Sequence, residues 1–186
     1  MLVELFNFFS DSYGPLRVFD YLSFRAIFAT LTALSVSLIL GPRFINKMQS
    51  IQVGQVIREE GPASHLSKKG TPTMGGTLIL SSMFISSILW GDLENRYLWV
   101  ALGVTTLFGL LGWVDDLYKL RLESSKGLSA FSKIFWQSLI ALVAVTFLFY
   151  SSESISEVSF IVPFFKNISI PLGLSFILIS YLVIVG

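Results

Sequence analysis

Apolar residues in this chain fall in long unbroken runs, at 26–40, 74–90, 97–114, 134–150 and 168–186. A helix crossing hydrocarbon needs about 20 mostly apolar residues, with a range of roughly 17–25. The run 97–114 has 18 and carries no charge. The first run reaches spanning length once Tyr21, Leu22, Ser23 and Gly41 are added, with the long stem of Arg25 carrying its charge toward one end. Runs this long, without strict alternation, predict helices and not strands. The expected fold is therefore all-α, a polytopic integral membrane protein of about five transmembrane helices. The spans are expected near 22–41, 73–91, 97–114, 134–150 and 168–186. No internal repeat, low-complexity tract or linker marks a second domain, so 1–186 reads as one membrane domain.

Composition agrees with a lipid solvent. Of 186 residues, 53% are hydrophobic and only 13% charged, with a mean hydropathy of +0.73. Ordinary soluble domains carry about a quarter charged residues. The net charge of +1 gives no reason to expect a nucleic acid partner. The absence of cysteine excludes disulfides, thiolate metal sites and cysteine nucleophiles, and His65 is the single histidine. The first 20 residues lack a basic start and a small-residue cleavage site, and Glu4 interrupts their apolar part. They read as an interfacial lead-in and not as a signal peptide.

Charge placement supplies an orientation. Residues 42–72 hold Arg43, Lys47, Arg58, Lys68 and Lys69, and residues 115–133 hold Lys119, Arg121, Lys126 and Lys133. Nine of thirteen basic residues thus lie on one side of the alternating spans, leaving Arg17, Arg25, Arg96 and Lys166 for the other. By the positive-inside tendency the first group is cytoplasmic and the N-terminus periplasmic.

That orientation puts Asp115 and Asp116 at the cytoplasmic end of the third span. Adjacent helical positions lie about 100° apart, so the two carboxylates share a level without sharing a direction. Like charges this close resist joint ionisation unless a cation or basic group joins them. Mg²⁺, which binds through one or two carboxylates plus waters and phosphates, is such a cation. The plainer alternative is that the pair only ends the span in water, neutralised by Lys119 and Arg121. The two readings are evenly matched on the pair alone.

A second constellation, Arg58 to Gly76, reads REEGPASHLSKKGTPTMGG. Its Gly70–Gly75 spacing is Walker-like, but Gly76-Thr77 replaces Lys-Ser/Thr and no strand precedes it, so a P-loop is rejected. What remains is a basic, glycine-rich turn entering a helix N-terminus, where N–H groups and the helix dipole attract phosphate. Against this, Gly75 and Gly76 could serve only close helix packing. Lys68 and Lys69 could serve only anionic headgroups. The 117–133 segment reads either as a solvated loop or as a basic rim attracting an anionic substrate.

Together, RxxGPxSHxxKxGTPTMGG at 58–76 and GWVDD at 112–116 resemble the MraY family, the phospho-N-acetylmuramoyl-pentapeptide transferases. The resemblance extends to FRA at 24–26, GPR at 41–43, KG at 126–127 and VPFFK at 162–166. It implies an enzyme of the bacterial inner (cytoplasmic) membrane with a cytoplasmic active face, active in peptidoglycan synthesis. Such enzymes transfer phospho-MurNAc-pentapeptide from UDP to undecaprenyl phosphate with Mg²⁺, giving lipid I and UMP. It further implies Asp115 and Asp116 as catalytic residues and as metal-holding residues. Lys68, Thr73, Gly75 and Gly76 are implied as substrate-binding. Implied partners are UDP-MurNAc-pentapeptide, undecaprenyl phosphate and membrane lipid, with a homodimer left open.

The family's members continue with an Asn/Asp-rich loop, a further catalytic Asp and a histidine motif. This chain therefore reads as the N-terminal part of such a transferase, expected to be inactive alone. The competing readings are a transporter piece and a non-catalytic membrane interaction fragment. The first would call for acidic residues deeper in the spans, and the interiors of the last four runs have none.

Overall fold

A computed structural model describes residues 2, 6, 9, 14–51, 74–122, 127–162 and 169–186. Among the described residues five α-helices dominate: α1 (Leu22–Ile51), α2 (Gly75–Trp90), α3 (Arg96–Arg121), α4 (Ala130–Tyr150) and α5 (Ser175–Val185). Contacts concentrate in two compact units, Met1–Leu128 and Ser129–Gly186. Hydropathy registers which segments cross lipid but not which of them pack together, and the sequence shows no linker at this point.

The solvent is written on the helix faces. Among the described residues the fully or nearly buried apolar side chains are Trp90, Leu102, Ala141 and Val145. Leu38, Ile79, Val143 and Leu182, by contrast, are all exposed. A water-soluble chain would bury such side chains. Here they face outward along helices whose backbone groups bond internally, as hydrocarbon demands. α1 over Leu22–Ser50, α3 and α4 are long and apolar enough to cross a membrane, and α2 and α5 are shorter apolar helices. The chain is an all-α, multi-pass membrane protein.

Several element ends differ from those read off hydropathy. α1 runs to Ile51, ten residues past the expected end, with Pro42 inside it. Proline removes one helical hydrogen bond, a loss that membrane helices accommodate. α3 continues to Arg121, so the two aspartates lie inside the helix and not at its tip. The last expected span, 168–186, begins too early. Ser169–Pro171 is a strand paired antiparallel with Ser159–Ile161, in the register Phe160 opposite Ile170. Pro171 cannot donate in a helix, Gly173 takes a positive φ of 52°, and helix starts only at Ser175. At about 1.5 Å per residue, the 11 residues of α5 cover only about 16 Å of a hydrocarbon layer near 30 Å thick.

In the first unit, α2 packs on α1 and α3. Polar side chains stitch α1 to α2: Ser37 Oγ donates to Ser82 Oγ at 2.9 Å, and Ser82 Oγ to the Leu78 carbonyl at 2.8 Å. Trp90 Nε1 donates to Thr32 Oγ1 at 2.9 Å, and its ring meets Phe28 and Phe19 at centroid distances of 5.2 and 5.6 Å. This aromatic group at one end of the helices has the make-up of a membrane-interface belt. On the other side, a Cβ at Gly109 of α3 would overlap the Leu80 side chain of α2, so glycine sets how closely these helices approach. In the second unit α4 packs on α5, with a Ser138 Oγ to Tyr181 OH hydrogen bond of 2.9 Å and Phe149 stacked on Phe176.

Candidate active site

The site is built from the turn between α2 and α3 outward. Asn95 caps α3, its side chain accepting from the Tyr97 amide at 2.9 Å. The short 91–95 connection makes α2 and α3 antiparallel neighbours. With Leu80 set against Gly109 and equal rise along both helices, Gly75 comes level with Val114. The glycine-rich start of α2 and the aspartates of α3 therefore occupy the same end of the pair.

At that end one lysine joins both carboxylates. Lys119 Nζ lies 2.6 Å from Asp115 Oδ2 and 3.0 Å from Asp116 Oδ1. The spacings i,i+4 and i,i+3 place all three on one helical face despite the angle between adjacent positions. The side chain of Asp115 is 11% exposed and that of Asp116 29%. Asp115 Oδ1 also accepts the Leu128 amide at 2.7 Å, from the segment entering α4. Among the described residues the pair thus brackets one cationic group, which offsets the repulsion of like charges in close proximity.

The aspartates lie inside α3 and not at its end, with Lys119 bonded to both. No contact ties Arg121 to the pair among the described residues. The Leu128 amide, 13 residues beyond Asp115, leaves no short-range pattern and was missed. Gly75 and Gly76 open α2, and a Cβ at either would meet nothing within 4 Å among the described residues. Met74 just before them adopts φ 72°, a left-handed conformation that is strained for a non-glycine residue. Lys68 and Thr73, with His65 and Lys69, lie outside the described residues, as do 123–126.

From this end a groove of about 500 Å³ runs between α2 and α3, lined by Leu80, Phe84 and Ile85 on one side and Thr106, Leu110 and Trp113 on the other. Its walls are almost wholly apolar, and its Thr77 and Trp113 end is the end that carries the aspartates. No cluster of three or more His, Cys, Asp or Glu side chains with metal-ligand spacing occurs among the described residues.

Two comparisons with known proteins bear on this arrangement. Residues 98–186 match the model of glycosyl transferase family 4. Residues 68–80 match signature 1 of the phospho-N-acetylmuramoyl-pentapeptide transferases, which ends on the first turns of α2. The similarity to MraY itself rests on that signature stretch. Both matches point to a polyprenyl-phosphate sugar-phosphate transferase, a class that joins a nucleotide-linked sugar to a membrane lipid phosphate. The family-4 match includes the aspartates, and the MraY signature reaches Leu80 in the groove wall.

Proposed function

We propose that the protein transfers phospho-MurNAc-pentapeptide from its UDP carrier to undecaprenyl phosphate, giving lipid I and UMP, at the cytoplasmic face of a bacterial inner membrane. The observation that carries this reading is the carboxylate pair sharing Lys119, at the same helix-pair end as Gly75, where the described part of the stretch matching the MraY signature enters α2.

In the reaction, an oxygen of the lipid phosphate forms a bond to the β-phosphorus of the UDP-sugar. The bond from that phosphorus to the bridging oxygen breaks, and UMP leaves with the electron pair. The protein's task is to hold two anions in line and to offset charge as it moves to the leaving group. Mg²⁺, when bound, would neutralise the diphosphate. The donor set fits it: two carboxylates already bracket one cationic group, and this ion takes one or two carboxylates plus waters and phosphates. Asp115 and Asp116 would hold it. The amides of Gly75 and Gly76, at a positive helix end, would receive phosphate oxygens, and Lys68 and Thr73, which precede them in sequence, would add further contacts. The apolar groove would receive the lipid tail beside the site where its phosphate reacts.

The test is exchange of labelled UMP into UDP-MurNAc-pentapeptide in membranes holding the protein, with undecaprenyl phosphate and Mg²⁺. Exchange that stops on chelation and returns with Mg²⁺, together with lipid I formation, is expected. Activity with UDP-N-acetylglucosamine in place of the pentapeptide donor would overturn the choice of substrate. Metal-independent exchange would overturn the role of the aspartates in holding Mg²⁺.

A further inference from the structure

The backbone that enters α4 returns to Asp115. Oδ1 accepts the Leu128 amide at 2.7 Å while Oδ2 pairs with Lys119 at 2.6 Å, so a nearly buried carboxylate is gripped from two directions. The peptide that donates this hydrogen bond joins Gly127 to Leu128. It passes so near that a Cβ on Gly127 would overlap the carboxylate, standing 2.7 Å from its Cγ where real Cβ contacts stay beyond 3.0 Å. The φ of Gly127 is not in the left-handed region. Glycine is needed here for close approach, not for conformation. Asp116 is held differently. More exposed, it meets Lys119 through Oδ1 alone among the described residues.

We propose that Gly127 is a positioning residue of the transferase site. By lacking a side chain it lets the Leu128 amide fix the Asp115 carboxylate. Asp115 so fixed holds Lys119 on the shared face and sets the level at which the carboxylate pair meets the incoming phosphates and their cation. This rests on the transferase reading above. The expected loss follows from geometry, because a misplacement of about 1 Å in such a site costs on the order of 10²-fold in rate.

Gly127→Ala in the whole protein is the test, read in two ways. In transfer assays kcat is expected to fall on the order of 10²-fold while KM for the nucleotide sugar stays within about twofold, the split of an interaction that matters in the transition state. In detergent, without substrates, the Leu128 amide proton of ¹⁵N-leucine-labelled protein is expected to lie downfield. It should move upfield in both Gly127→Ala and Asp115→Ala. Gly103→Ala is the control, because a Cβ there meets nothing within 4 Å among the described residues. It is expected to change neither readout. Gly127→Ala transferring within about twofold of the parent rate would overturn the proposal. So would a Leu128 amide unmoved by Asp115→Ala, a variant that leaves Gly127 in place and decides the contact even if Gly127→Ala does not accumulate. A parent protein without transfer activity would instead count against the transferase reading, and the amide shift would still decide the positioning claim.

Discussion

Lys119 is a single side chain that stands where a dication would be held. Its ammonium lies within 3.0 Å of both aspartates, so a metal entering between them must compete with a charge the chain supplies itself. Removing that charge takes away a cation that offsets the repulsion between two adjacent carboxylates. Lys119→Gln is therefore expected to tighten divalent-cation binding by about tenfold, a modest figure because the lysine is one-third exposed and solvent screens it. Mn²⁺ binding followed by electron paramagnetic resonance would measure this directly, and unchanged or weaker binding would remove the competition argument. Asp116→Asn keeps the shape and deletes the charge. It is expected to cost on the order of 10²-fold or more in transfer with membrane insertion unchanged. The aspartate pair was legible in the sequence because two charges stand directly after an uncharged apolar run. Lys119 was named with Arg121 as a neutralising group, and the structure bonds Lys119 to both aspartates. Leu128 was not, since a backbone amide 13 residues away is brought in by the fold and no side-chain pattern announces it.

Among the elements, hydropathy located helices well and their ends poorly. Backbone hydrogen bonding does not stop where side chains turn polar, so α3 carries its aspartates for nearly two turns before Arg121. Basic residues Lys119 and Arg121 in that last turn suit the negative helix end. The strand pair at 159–161 and 169–171 was hidden for the opposite reason, because Ile170 and its neighbours merged with the apolar run of α5. The packing of α2 on α3 was only partly legible: Gly109 is a plain small residue in sequence, and its contact with Leu80 appears only in three dimensions. Gly109→Val should force these helices apart at the groove. Overpacking of this kind costs about 1–3 kcal/mol, and it should lower the thermal unfolding midpoint in detergent. If the groove holds the lipid tail, KM for undecaprenyl phosphate should rise while KM for the nucleotide sugar holds steady. A rise in both would assign the effect to general damage and not to the groove.

At the level of the whole molecule, the charge distribution makes a claim about sidedness that the helices allow to be tested. Nine of thirteen basic residues fall in segments assigned to the cytoplasm. In the first unit, α2 separates the end carrying Asp115 and Asp116 from the 91–95 turn, so its two ends should face different compartments. The α1 terminus provides an exposed position at Ser50, and the turn provides another at Glu94. The chain has no cysteine of its own, so each position can carry the only thiol in the protein. Ser50→Cys is expected to resist a membrane-impermeant maleimide in intact cells and to react once the membrane is opened. Glu94→Cys is expected to react in both conditions. Both side chains are exposed, so accumulation in the membrane should match the parent protein. Basic residues favour the cytoplasmic side because they resist translocation, whereas the two acidic residues of the turn have little influence on orientation. Labelling of Ser50→Cys in sealed cells would invert the protein and put the aspartates on the outer face. A nucleotide-linked donor made inside the cell could then no longer reach them, and the transfer reaction proposed above would fail with the orientation.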